Sequence, residues 1–231
     1  MTYVLVHGAS SDSAYWQLLT PELRARGQDV VTMDLPVADD SAGLAEYADT
    51  IVEAIGDRTG IVLVAQSMAG FSAPLVCDRL RVDLLVLLNA MVPAPGESPG
   101  DWWANTGQAA ARAELAVRQG RDPKAPFDPM VDFLHDLPPE LVTEMMSSPP
   151  IGQSDTPFVL PWPLSSWPDV PTRFLQGRED RFFPLEFQRR VLRDRLGLEL
   201  DELPGGHLAA LSHPRELAAR LESYRTQLTA D

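Results

Sequence analysis

Ile61-Val62-Leu63-Val64-Ala65-Gln66-Ser67-Met68-Ala69-Gly70-Phe71 is the stretch from which the fold of this chain is read. A short apolar run ends in a serine between residues with little side chain, and a helix-like segment follows. In such a strand–turn–helix context the turn carries a serine oxygen out over the end of a sheet. Small residues at 65 and 69 suit the close backbone approach of that turn. The usual pattern is G-x-S-x-G; here it reads A-Q-S-M-A, with a glycine one place later at Gly70. A serine between small residues also serves as a plain helix N-cap, so the motif needs partners elsewhere in the chain.

A nucleophilic serine needs a general base, and the base needs an orienting carboxylate. The chain has four histidines, His7, His135, His207 and His213. His207 follows Leu203-Pro204-Gly205-Gly206, where an expected strand runs into a tight turn. Open α/β sheets keep their sites at the carboxyl ends of strands, which favours His207 as the base. His213 precedes Pro214 and reads as the lead-in to the last helix; it remains the rival. For the carboxylate, Asp180 follows the strand that breaks at Gly177, close enough for the loop to turn back over the sheet. Glu179 and Asp169 are its rivals.

Strands and helices alternate along the chain. Strands are expected at Tyr3–Val6, Val30–Met33, Ile61–Val64, Leu84–Leu88, Arg173–Leu175 and Glu199–Leu203. Helices are expected near Ala14–Arg26, Leu44–Ile55, Met68–Leu80, Leu185–Leu196 and Arg215–Leu228. The strands are short apolar runs without alternation, as buried parallel strands require. The expected fold is α/β, a doubly wound, mostly parallel six-stranded sheet. Residues 94–170 break the pattern and hold most of the 21 prolines and every tryptophan but Trp16. Helical pieces are expected there near Trp102–Gln119, Phe127–Leu134 and Pro139–Met146. So long and aromatic an excursion reads as a cap inserted after the fourth strand, over a core of residues 1–93 and 171–231.

The chain resembles the α/β-hydrolases over nearly its whole length. More narrowly it is similar to the branch holding plant methylesterases and hydroxynitrile lyases, with related small bacterial esterases. The resemblance is carried by Leu5-Val6-His7-Gly8-Ala9 with Trp16 downstream, by Gln66-Ser67-Met68, by Gly177 through Gln188, and by Gly206-His207, in that order. It implies an esterase in which Ser67 attacks, His207 is the base and Asp180 orients it. The residue after the nucleophile, Met68, offers one backbone N–H to an oxyanion, and the resemblance places the second donor on Ala9. His7 is expected to tie down the loop that Gly8 opens. Ser10, Trp102, Trp103, His135 and Phe183 are substrate-binding candidates by position, though His135 also reads as an exposed helix-end residue and the aromatics as ordinary packing. Hydroxynitrile lyases of this branch carry a threonine where this chain has Gly8 and a lysine where it has Leu208, which disfavours that activity. Dehalogenases and epoxide hydrolases of the fold carry an aspartate at the place of Ser67.

Composition bounds the remaining classes. At 231 residues one full-sized core is expected. The net charge of −14 argues against nucleic acid and anionic membrane surfaces as partners. The single cysteine, Cys77, excludes an internal disulfide and reads as a small buried residue. No zinc spacing, G-x-G-x-x-G or P-loop occurs, so no cofactor and no metal are expected. No basic, apolar leader and no run long enough to cross a bilayer is seen, so a cytoplasmic location is expected. The aromatic, Met-rich insertion suggests a small, largely apolar ester as substrate, and an apolar edge of it on which two chains could pair. A ligand-binding protein with little turnover is the alternative of a different class.

Overall fold

The protein is described here by a computed structural model covering residues 1–228. Six strands among these residues form one sheet: β1 (Thr2–Val6), β2 (Asp29–Thr32), β3 (Ile61–Gln66), β4 (Leu84–Leu88), β5 (Thr172–Gly177) and β6 (Asp201–Leu203). Helices α1 (Leu19–Arg24), α2 (Leu44–Ile55) and α3 (Ala69–Cys77) connect the first four strands. Between β4 and β5 lie α4 (Pro99–Thr106), α5 (Gln108–Arg118), α6 (Pro129–Asp132), α7 (Pro139–Ser147) and α8 (Thr156–Val159). The chain closes with α9 (Leu185–Leu196), α10 (Ala209–Ser212) and α11 (Pro214–Leu228). The strand order is β2-β1-β3-β4-β5-β6 and every neighbouring pair is parallel, the doubly wound α/β sheet expected from the sequence.

The unbroken apolar strands are explained by burial on both faces. Side chains alternate across a strand, so each strand feeds two cores. Tyr3, Leu5, Val62, Val64 and Val86 pack on one face with Trp16, Leu19 and Leu217. Val4, Val6, Leu63, Ala65, Leu85 and Leu87 pack on the other with Ile51, Phe71 and Phe187. Trp102 and Trp162 of the insertion are buried in this second core.

Several boundaries differ from expectation, each for a local reason. The helix expected at Ala14–Arg26 is a 3-10 turn at Ser13–Trp16, capped by Asp12, followed by the short α1. Pro21 has no N–H and fits most easily in a helix's first turn, where α1, starting at Leu19, places it. The helix expected at Trp102–Gln119 divides at Gly107, whose φ of +71° ends α4. The piece expected at Phe127–Leu134 shrinks to α6, with Asp128 as its cap and Pro129 in its first turn.

Strand order also fixes where a site can form. The chain leaves β1 for β2 on one side, then crosses back to β3 on the other. A crevice opens beyond the carboxyl ends of strands at such a reversal. The register pairs Val6 with Ala65, so the loop after β1 and the turn at Ser67 emerge side by side. A Cβ on Gly8 would lie 2.8 Å from the Ser67 Cβ.

Two fastenings hold that corner. Ser67 has a φ of +54°, a left-handed conformation unusual for a residue with a side chain. Its N–H donates to the Leu88 carbonyl at 3.2 Å, and its carbonyl accepts from Met91 N–H at 2.9 Å. Gly70 lies against the same segment: a Cβ there would sit 1.9 Å from the Met91 carbonyl oxygen. The glycine displaced by one place from the usual pattern is thus the one that the close backbone approach requires. The second fastening is His7, buried beneath the loop after β1. Its Nε2 accepts from Leu35 N–H at 3.0 Å, which leaves Nδ1 protonated and donating to the Gly8 carbonyl at 2.8 Å. Burial holds the His7 pKa below the usual 6.5.

Gly70→Ala is expected to lower stability by about 1–3 kcal/mol, because a backbone oxygen cannot move aside as a side-chain tip can. Denaturant unfolding checks it, and an unchanged midpoint would contradict the contact. The stabilisation that His7 provides is fully present above pH 6.5 and declines as pH falls, since the unfolded chain takes up a proton that the buried ring resists. The stability gap between wild type and His7→Gln should therefore narrow below pH 6.5; a gap constant from pH 8 to 5 would contradict this.

Candidate active site

Three of the residues singled out in the sequence meet at the carboxyl ends of β3, β5 and β6. His207 Nε2 lies 3.1 Å from Ser67 Oγ, and His207 Nδ1 lies 2.8 Å from Asp180 Oδ2. His207 and Asp180 are each 1% exposed, while Ser67 is half-buried. The chain therefore runs from a buried carboxylate to a serine at the surface of the crevice. Asp180 Oδ1 accepts from the backbone N–H groups of Phe182 and Phe183, both at 2.9 Å. Its Oδ2 accepts from Gln176 Nε2 at 3.1 Å and from the imidazole. A carboxylate surrounded by donors sets the tautomer: His207 Nδ1 carries the proton, and Nε2 is left to accept from the Ser67 hydroxyl.

The rivals stand elsewhere. Glu179 accepts the Gly205 N–H at 2.6 Å, and Asp169 is exposed in the segment before β5. His213 bonds Ser212 Oγ at 2.9 Å from the end of α10. Cys77 packs in α3, and burial pushes its thiol up to about 12, far from a reactive thiolate.

Side chains that sequence reasoning did not single out build the frame around His207. Asn89, just past β4 at a φ of +46°, accepts the Gly177 N–H at 2.7 Å and donates to the carbonyls of Gly206 and His207, both at 3.0 Å. It ties β4, β5 and the His207 loop together. Gln66 adds a longer bond to the His207 carbonyl at 3.4 Å. The imidazole lies among aromatic rings. Phe133 stacks on it at 4.8 Å between centroids and 12° between planes, and Phe182 and Phe183 present their edges at 5.3 and 5.1 Å. Asn89 had a signal in the sequence, a polar residue ending an apolar strand. Phe133 had none beyond its place in an aromatic insertion.

Ala9 and Met68 flank the crevice by Ser67, and neither backbone N–H donates to another group among the described residues. Beside them Leu35, Tyr47, Met68, Ala69 and Ser72 close around a space too narrow to admit a water molecule. Ser10 is exposed at a φ of +50°, and its N–H donates to Gln153 Oε1 at 3.0 Å.

Of the expected substrate-binding aromatics, Trp102 is corrected by the structure. It is fully buried, its indole N–H donates to the Val92 carbonyl at 3.0 Å, and it packs on Phe183 and Phe187. It is a core residue that seats the insertion. Phe183 is likewise fully buried and faces the imidazole. Trp103 is half-buried against Phe182 and Phe183. His135 is not an exposed helix-end residue. It lies on the turn after α6 and is wedged against Gly206. Burial, reinforced by the Arg181 guanidinium, lowers its pKa. Among the described residues no group of three His, Cys, Asp or Glu is placed to hold a metal ion, and no helix is long and apolar enough to cross a membrane.

Comparison with known proteins identifies the family. Residues 3–220 match the alpha/beta hydrolase family. Methylesterase 3 of Arabidopsis thaliana is 24% identical over 94% of this chain and 93% of its own length. A pyrethroid hydrolase of Sphingobium wenxiniae is 26% identical over 96% of this chain and 86% of its own. The crystal structure of a pyrethroid hydrolase from Sphingobium faniae superposes with a TM-score of 0.77 at 20% identity, covering 100% of this chain and 99% of that one. The chain belongs to the alpha/beta hydrolase family, and within it resembles the branch of the methylesterases and pyrethroid hydrolases.

Proposed function

We propose that the protein is a serine carboxylesterase that cleaves a small, largely apolar ester through an acyl-enzyme. The observation that carries this reading is the hydrogen-bonded chain from Ser67 through His207 to Asp180, at 3.1 and 2.8 Å. Kinship to methylesterases and a pyrethroid hydrolase, at low identity, supports an ester as the bond attacked.

In this mechanism Ser67 Oγ adds to the ester carbonyl carbon while its proton passes to His207 Nε2. The carbonyl oxygen becomes an oxyanion held by the N–H groups of Ala9 and Met68. One such donor is worth ~3 kcal/mol in the transition state. Collapse of the tetrahedral species breaks the bond to the alcohol oxygen, which leaves with the proton from His207. Water then adds to the acyl carbon, its proton passing to His207, and the second collapse returns the proton to Ser67 and frees the acid. Asp180 keeps the imidazole tautomer fixed and stabilises the imidazolium in both halves.

Residues 94–170 act as the cap over this site. Phe133 supplies the ring stacked on His207, and burial of Trp102 and Trp162 in the core fixes where the cap sits. The lyase alternative loses ground here. A Cβ on Gly8 would meet Gln66 Oε1 at 2.5 Å and Ser67 Cβ at 2.8 Å, so the threonine that marks the lyases has no room.

Hydrolysis of short- and medium-chain p-nitrophenyl esters tests the reading. Ser67→Ala should remove nearly all turnover while unfolding close to wild type, and His207→Ala should remove nearly all turnover with some loss of stability from the vacated ring site. Asp180→Asn should lower kcat by about 10⁴-fold, because an amide at this place stabilises the wrong tautomer. Wild-type rates in the His207 variant would move the base elsewhere. A folded wild type that cleaves no ester of the series would turn the reading toward ligand binding.

A further inference from the structure

The loop that carries His207 is poorly equipped to hold itself. It reads Pro204-Gly205-Gly206-His207, and Gly205 has a φ of +102°. Two successive glycines bring no side chains to anchor it, so its backbone must be held by others. Asn89 holds the carbonyls of Gly206 and His207, and Glu179 holds the Gly205 N–H. The Gly206 N–H is held from the insertion, by Asp136 Oδ2 at 2.6 Å.

Asp136 lies on the same short turn as Phe133, whose ring stacks on the imidazole. The turn thus grips the His207 loop twice, once at the imidazole ring and once at the Gly206 N–H. It is itself fixed to the molecule. Arg112 pairs with the buried Asp132 at 3.1 and 2.7 Å, and Arg181 donates to the Val131 carbonyl at 3.0 Å. The contact is close: a Cβ on Gly206 would lie 2.9 Å from His135 Cε1 and 3.0 Å from Asp136 Oδ1. It is also unfavourable in part. The second oxygen of Asp136 is buried there without a hydrogen bond.

We propose that Asp136 is a positioning residue for His207: from the insertion, its carboxylate fixes the Gly206 peptide and so aims the imidazole at Ser67. The proposal rests on the reading of His207 as general base. It makes the insertion part of the proton-transfer apparatus. When the turn lifts, the Gly206 N–H loses its acceptor and the imidazole loses its stacking partner together, so the base is fully aimed only with the turn seated. Misplacement of a reacting group by about 1 Å costs on the order of 100-fold in rate, which sets the scale of the effect.

The test uses the full chain as wild type, Asp136→Ala and Asp136→Asn, with thermal unfolding as a check of folding. The first readout is the downfield proton NMR signal of the His207 Nδ1–H bonded to Asp180, identified by its loss in His207→Ala. The signal should broaden or vanish in Asp136→Ala and persist in Asp136→Asn, whose amide oxygen can accept the same bond. The second readout is steady-state hydrolysis of p-nitrophenyl acetate. In Asp136→Ala kcat should fall about 10- to 100-fold with KM within about twofold, and the Asn variant should recover most of it. An unchanged signal and kcat in folded Asp136→Ala, or a rise in KM alone, would overturn the proposal. If the Ala variant does not fold, Asp136→Leu keeps the bulk without the acceptor and takes its place. A wild type that cleaves no ester would sink the hydrolase reading instead, and the NMR signal would then decide the positioning role by itself.

Discussion

The left-handed turn at Ser67 is the constraint on which the rest of this site depends. A serine at a φ of +54° is strained, and such strain persists only where the surroundings over-determine it. Here the peptide groups on both sides of Ser67 are engaged by the end of β4 and the segment that follows it, through the carbonyl of Leu88 and the N–H of Met91. The missing side chain of Gly70 lets α3 start close against that segment. The hydroxyl is thereby aimed along the end of the sheet, where the loops after β5 and β6 come to meet it.

A second level of organisation follows from the first. The Asp180 carboxylate has donors on both oxygens, and the loop around His207 is tied at successive backbone groups by Asn89, Glu179 and Asp136. Preorganisation of this kind matters because a relay of two hydrogen bonds transmits any error in the position of its middle member to both ends. The aromatic rings around the imidazole add to it: they exclude water from the relay and leave the ring little freedom to turn.

Ser67, Asp180 and His207 were legible in the sequence because each stands in a local signal: an apolar strand, a break at glycine or a small residue, and a loop that turns back. The alternating strands and helices were legible for the same reason, since apolar runs and their period are local properties. The contacts of the supporting residues were not. Asn89 meets Gly206 117 residues later in the chain, and Asp136 meets it 70 residues later, separations that no local pattern encodes. Trp102 shows the limit from the other side. Apolar composition says that a side chain must be buried, but not whether it faces a substrate or the core, and here it faces the core. His135 was misplaced because a histidine beside an aspartate at a helix end looks solvated until the Gly206 backbone is seen packed against it. The split of the 102–119 segment at Gly107 was written in the sequence, but glycine within a periodic stretch is tolerated often enough to be passed over.

The central claim is that Ser67 is a nucleophile activated by His207. Exposure to a fluorophosphonate, followed by intact-mass measurement and peptide mapping, tests it without requiring the natural substrate. The account predicts one phosphonyl group per chain, on Ser67, added rapidly to wild type and at a greatly reduced rate to His207→Ala. No adduct on a folded wild-type chain, or an adduct on another residue, would contradict it.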